Sequence, residues 1–297
     1  MSGEGQPIDY FHHVRDFAYL ELPFGQKLPL PKIMGFQLTK FMLLQVAAGF
    51  ITLFIFWGLA RRTKTGKPVL GRFWNFWESI ALFVRDEVVR PTIGDGHHDH
   101  GHDDHGHDHG THAAVATGGH YADKYLPFIW TCFFYVLICN LLGAIPMLGS
   151  ATGCISVTLA LAIAAFVASI MYSMKEIGVG GFFKNFMGGI KVESPMDFIV
   201  VLILIPIEVV GFLIKHGVLA IRLFANIMGG HTVLGVLLIM ITLAATKGPS
   251  WAYYVAAPAS VLGQAGVGLL ELMVAFIQAY VFSFLATIFI ATGLHEH

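Results

Sequence analysis

The 297-residue chain is 56% hydrophobic and only 12% charged, with a formal net charge of −1, where a soluble domain carries ~25% charged residues. Such a composition excludes an ordinary soluble enzyme, and the near-zero charge gives no basis for a nucleic-acid partner. Several apolar runs exceed the ~18 residues that mark a membrane helix, so the expected class is an all-α polytopic membrane protein.

Residues 1–40 are mixed polar and charged, as in "GEGQPIDYFHHVRD". No cleavable signal peptide is expected to open the chain. The first span is predicted over 41–60, "FMLLQVAAGFITLFIFWGLA", closed by the basic run "RRTKTGK". Residues 72–90 mix Phe73, Trp74, Phe76 and Trp77 with Arg72, Glu78, Arg85, Asp86 and Glu87. That is too many charges for a span and suits an amphipathic helix lying in the interface, with Pro91 ending it.

A Gly/His/Asp tract occupies 97–112, "HHDHGHDDHGHDHGTH". Two further spans are expected at 125–148 and 156–174, joined by a short turn around Pro146, Gly149 and Gly153, and a polar link follows to 195. Cys132, Cys139 and Cys154 fall in or beside these runs without paired spacing, and read as small buried hydrophobes.

The run 196–246 is over-long: about 51 residues of helix would measure ~76 Å, against a hydrocarbon core of ~30 Å. It is either two spans or one long, tilted helix. The last run, 255–294, is over-long in the same way. With five crossings, the loops at 61–124 and 175–195 share a side and hold eleven Lys/Arg, against five on the other side. The excess places those loops and the C-terminus in the cytoplasm and segment 1–40 outside. Channel-forming helices would then occupy 125–294.

The polar residues inside these runs are few and patterned. Glu208, Lys215 and Arg222 are seven apart, so each lies about 20° from the next around a helix, and Asn226 falls on the same side. Gly211 and Gly229 flank this stripe, where they would let a neighbour approach. His231 is nine residues past Arg222, about 180° round. In the last run Gln264, Glu271 and Gln278 are again seven apart, near Gly263, Gly266 and Gly268. A guanidinium at mid-bilayer depth costs at least ~2.5–3.5 kcal/mol on insertion scales, so such residues face water or a polar partner and mark ion routes.

"IEVVGFLIKHGVLAIRLFANIMGGH" followed by "LLELMVAFIQAYVFSFLATIFI" resembles subunit a of the F-type ATP synthase. The resemblance extends to "NLLGAIP" at 140–146 and "VTLALAI" at 157–163. It implies that Arg222 is the stator arginine facing the carboxylates of a rotating c-subunit ring. It also implies that His231 and Glu271 are a contacting pair lining the outer half-channel, and that Asn226 and Gln278 are the polar residues beside the arginine. Glu208 would be the acid near the inner access path. With Lys215 on the same stripe, these seven are the candidate proton-translocation residues. The two over-long helices would be the family's tilted hairpin that curves along the ring. No cofactor is implied; the implied partners are the c-ring, the peripheral-stalk b subunits, the remaining synthase subunits and the lipid bilayer, with the chain in the cell inner membrane and catalysing no bond-making itself. The sequence departs from the common motif at His216, Val218, Gly211 and Ser156.

The histidine tract motivates one alternative, a metal-ion transporter with a His-rich loop. His97, His98, His100, His102, His105, His107, His109 and His112, interleaved with aspartates, are competent for weak zinc, nickel or copper binding. The spans offer no His/carboxylate ligand cluster at helical spacing over 125–246, and a central arginine would repel a divalent cation.

Overall fold

The computed structural model describes residues 19–21, 27–33, 36–63, 71–94, 120–145, 150–186 and 195–294. The histidine tract lies outside these residues, as do Pro146 and Gly149.

The protein is an all-α polytopic membrane protein. Five helical stretches are long and apolar enough to cross a membrane: Lys40–Thr63, Tyr121–Gly143, Ile155–Lys175, Leu202–Thr246 and Trp251–Thr292. Ahead of them stand two short hairpins not expected from the sequence. β1 (Tyr19–Glu21) pairs antiparallel with β2 (Lys27–Pro29), and β3 (Lys32–Ile33) with β4 (Phe36–Gln37).

Helix α1 (Lys40–Thr63) ends in Arg61 and Arg62, which lie over the rings of Trp57 and Trp74 at 3.7 and 4.1 Å. The next helix begins as α2 (Arg72–Phe83), widens into a π stretch over Val84–Val89 and closes as α3 (Arg90–Ile93). Pro91 therefore does not end it. Proline has no N–H to donate, and the π turn before it has already shifted the hydrogen-bond ladder, with Arg90 N–H reaching back to Arg85. The helix stops instead at Gly94, whose φ of 74° is a left-handed conformation that glycine adopts without a Cβ penalty.

One face of this helix is apolar and inward: Trp77, Ala81, Val84, Val88, Val89 and Ile93 are all buried, while Phe73, Phe76 and Phe83 are exposed on the other side. Trp130 of α4 (Leu126–Gly143) donates its indole N–H to the Ala81 carbonyl at 2.9 Å, where the helix begins to widen. Arg90 holds Asp123 through two hydrogen bonds of 3.0 and 2.9 Å, tying α3 to the turn that leads into α4. The adjacent Arg85 hydrogen bond, aided by the charges of Arg85 and Arg90, keeps the Asp86 carboxyl below the usual carboxylate range. Trp130→Phe is expected to leave the Ala81 carbonyl without this donor and to cost about 1–3 kcal/mol. Thermal denaturation of the purified complex in detergent would register it as a lowered Tm.

Helix α4 is the buried centre, with Tyr125, Ile129, Phe134, Val136 and Leu137 wholly enclosed. It stops at Gly143, five residues before the expected end, because the chain must leave αR geometry before Pro146. Helix α5 (Ile155–Phe186) overruns its expected end at 174, with a break at Gly178, φ 71°. Cys132 and Cys139 are buried as expected; Cys154 is only half-buried, its Sγ 3.0 Å from Ser156 Oγ.

The two over-long runs are each one helix, α6 (Pro195–Thr246) and α7 (Ser250–Leu294), with Pro206 and Pro258 inside them. The alternative of two spans in 196–246 is thereby removed. They pack against each other, with α5 on α6 and α4 on α7. Only 11% of the apolar window of α6 is buried, against 61% for the stretch that includes α4, so α6 is the outermost member of the bundle.

Candidate functional site: a polar cavity between α6 and α7

Helix α6 turns His216, Leu219, Ala220, Leu223 and Ile227 inward, at the three- and four-residue spacing of one helix face. Arg222 and Lys215 fall outside that face and are exposed. Among the described residues no ion pair reaches Arg222. Asn226, one turn on from Arg222, is half-buried at the seam with α7, where its Nδ2 donates to Gln278 Oε1 at 2.8 Å.

One further turn along α6, Gly230 faces Glu271. A Cβ at Gly230 would collide with the Glu271 carboxylate, whose Cδ lies 2.9 Å from that position. Farther out, Gly263 meets Leu237 in the same way, at 3.3 Å. The pairs 226 with 278, 230 with 271 and 237 with 263 run in opposite senses along the two helices, which fixes an antiparallel register. Close approach thus happens at Gly230 and Gly263. Gly211, Gly229, Gly266 and Gly268 have nothing within 4 Å of an added Cβ among the described residues.

Between the helices lies a cavity of about 390 Å³ whose polar lining is Asn140, Asn226, Glu271 and Gln278. Glu271 and Gln278 are buried, and Glu271 Oε1 and Gln278 Nε2 have no hydrogen-bond partner within the protein. Their seven-residue spacing on α7 is what puts both on the cavity wall.

A family model described as "ATP synthase A chain" matches residues 110–291. ATP synthase subunit a of Chloroherpeton thalassium is 32% identical to this chain, over 98% of it and 78% of the relative. That of Chlorobium phaeobacteroides (strain DSM 266) is 35% identical over 96% and 75%, and that of Myxococcus xanthus 33% over 92% and 80%. The chain belongs to the ATP synthase subunit a family.

Within this subunit a fold, the sequence-predicted residues divide. Asn226, Glu271 and Gln278 are brought together. All three line one cavity. His231 is half-buried, but no hydrogen bond joins it to Glu271 Oε1. One residue before it, Gly230 is the position whose added Cβ would meet the Glu271 carboxylate. Arg222 and Lys215 stand apart on the exposed side. The side chain of Glu208 lies outside the described residues, as do the eight histidines of the tract. His216 is buried between Phe166 and Phe289, ring centroids 5.1 and 4.1 Å away, and fills the core where α5, α6 and α7 meet.

The residue that sequence reasoning missed is Asn140. A lone asparagine inside the apolar run 125–148 is itself a signal, and here it reaches the cavity from α4. Among the described residues no group of three His, Cys, Asp or Glu could hold a metal ion.

The Asn226–Gln278 bond should be visible as coupling. Asn226→Ala and Gln278→Ala are each expected to slow proton pumping, with the double variant better than additive by about 1 kcal/mol. Pumping rates of the four forms in membrane vesicles would measure it.

Proposed function

We propose that the chain is the proton-conducting stator subunit of an F-type ATP synthase, giving two aqueous half-channels to the carboxylates of a c-subunit ring and coupling proton flow to rotation. The observation that carries this reading is the pairing of an outward, exposed Arg222 with a cavity that carries Asn140, Asn226, Glu271 and Gln278 on otherwise apolar walls, one to two turns away on the same helix. The long, little-buried face of α6 leaves room for a large partner, and the ring fits it.

The physics of the arginine follows from its charge. A fixed guanidinium in low dielectric favours the anion of a carboxylate that faces it, so an arriving ring carboxylate releases its proton there. It can return to lipid only after taking a proton from the other side. The same charge repels a hydrated proton and so prevents a direct leak between half-channels. Lysine would serve less well, since it neutralises readily on burial while guanidinium does not. The driving force is ~2.3 kcal/mol per charge per 100 mV, plus any pH difference.

In this reading Glu271 and His231 relay protons to the ring from outside, and Asn226 and Gln278 are the polar residues beside Arg222. Asn226 bridges the cavity to Arg222, and Glu208 and Lys215 lie on the approach to the inner side. The b subunits of the peripheral stalk and the remaining synthase subunits complete the assembly. ATP chemistry belongs to the soluble head, and this chain catalyses no bond-making. The orientation has residues 1–40 outside, the basic loops and C-terminus in the cytoplasm, and the whole in the cell inner membrane. The test is ATP-driven proton pumping by Arg222→Ala in vesicles, with assembly checked by co-purification.

A further inference from the structure

Five basic residues fall between 61 and 72 (Arg61, Arg62, Lys64, Lys67 and Arg72), and no Asp or Glu occurs anywhere from 22 to 77. Lys64 and Lys67 lie outside the described residues. The three arginines stand where α1 ends and α2 begins, and all three are exposed. The proton route described above uses none of them.

The corner between the two helices is built from rings. Gly58 lets the Trp74 indole lie directly on α1, because a Cβ there would collide with it. Trp74 in turn meets Phe73 and, on α1, Phe54, with ring centroids 5.3 and 6.2 Å away. Trp57, one residue before Gly58, supplies a second platform. Arg61 lies over the Trp57 ring and Arg62 over that of Trp74. Such stacking engages the flat face of a guanidinium, while its N–H donors lie in the plane. A phosphate approaches in that plane and is gripped by two parallel hydrogen bonds.

The same corner closes an apolar stripe. Phe50, Phe54 and Trp57 recur at the three- and four-residue spacing of one helix face, and Arg61 is the next position on it. The three rings are 68%, 56% and 54% exposed, so the stripe has no cover within the protein. An apolar stripe along a span that ends in stacked arginines matches one class of partner: long apolar chains closed by a phosphate. A free phosphate would have no use for the stripe, and a lipid of no net charge none for the arginines.

We propose that the α1–α2 corner binds an anionic phospholipid, its phosphate held by Arg61, Arg62 and Arg72 and its acyl chains laid along Phe50, Phe54 and Trp57. Basic residues at the end of a span draw anionic lipid to the headgroup layer. In the orientation proposed above, that layer is the cytoplasmic one. The binding does not depend on the proton route, so its failure leaves the channel reading standing, and Arg222→Ala tests that reading separately.

The experiment uses the complete synthase in phosphatidylcholine vesicles that carry a trace of photoactivatable phosphatidylglycerol, or of phosphatidylcholine with the same photoactivatable chains. Lipid-labelled peptides of α1 and α2 are then quantified by mass spectrometry. Phosphatidylglycerol is expected to label them about fivefold more than phosphatidylcholine, the scale of one basic residue at a charged membrane surface. Arg61→Gln combined with Arg62→Gln should remove that preference, and each single change should lower it. Assembly, checked by co-purification, should be unaffected because these side chains are exposed. Should the double variant fail to assemble, the single variants decide. Equal labelling by the two lipids would overturn the proposal, leaving an interfacial belt blind to the headgroup. A preference that survives in the double variant would overturn it too. Inorganic phosphate that displaces the label as well as unlabelled phosphatidylglycerol does would mean a free-anion site instead. No lipid label on α1 in the assembled complex would mean that another protein subunit covers the corner, and the lipid would be ruled out.

Discussion

Arg222→Ala is expected to reduce ATP-driven proton pumping by about 100-fold or more, the scale of losing one preorganised charge at a site of developing charge. The complex should still assemble. Arg222 is exposed and makes no ion pair among the described residues, so its removal leaves no buried partner unsatisfied and opens no core cavity. Passive proton leak is expected to rise in the same vesicles, because the barrier between the half-channels is gone. Arg222→Lys should recover little, since an ammonium in that setting can shed its charge. Pumping near wild type in an assembled Arg222→Ala complex would make the arginine structural and remove the mechanism proposed for this chain. Loss of the complex itself would assign Arg222 to assembly.

Gly230→Val is expected to cost about tenfold in pumping, equivalent to ~1.4 kcal/mol of barrier, without loss of the helix. A side chain at 230 occupies the place of the Glu271 carboxylate, and the walls of α6 and α7 leave that carboxylate only the cavity to move into. Valine is a better helix former than glycine, so the backbone of α6 gains if anything. The assignment to geometry can be checked with a compensating change. Glu271→Asp draws the carboxylate back by one methylene, and Gly230→Ala with Glu271→Asp should pump faster than Gly230→Ala with Glu271 retained. No compensation, with both variants assembled, would mean that the contact across the hairpin does not govern proton transfer.

Much of this was legible in the chain itself. The five spans follow from run length and apolarity, because a segment in lipid must satisfy its backbone internally and be long enough to cross. The polar stripes follow from seven-residue spacing, which holds for any helix of 3.6 residues per turn. Glu271 and Gln278 could thus be placed on one face of α7 before their surroundings were known. The motif around Arg222 carried the family, and the match over residues 110–291 agrees.

The misplaced details share a different character. Pro91 was read as a stop by a local rule, yet the preceding π stretch had already shifted the ladder, and Trp130, on a helix that starts 35 residues later, bonds where it begins. Gly211, Gly229, Gly263, Gly266 and Gly268 were read as close-approach positions, yet of these five, among the described residues, Gly263 alone meets a neighbour, while Gly230, which was not singled out, meets Glu271. Asn140 was passed over because its importance lies in a cavity whose other walls belong to two other helices, α6 and α7.

By itself, then, the sequence determined what depends on a single segment and its solvent: membrane class, the apolar runs, helix faces and the rarity of charge that singles out Arg222. Only the tertiary structure decided what depends on how faces meet. The antiparallel register of α6 and α7 chooses Gly230 and Asn226 as the residues that oppose Glu271 and Gln278, and the approach of α4 makes Asn140 the fourth polar wall of the cavity. A shift of one residue along either helix would turn each contact by about 100°, so these meetings are set by packing of whole surfaces and are written in no single stretch of the chain.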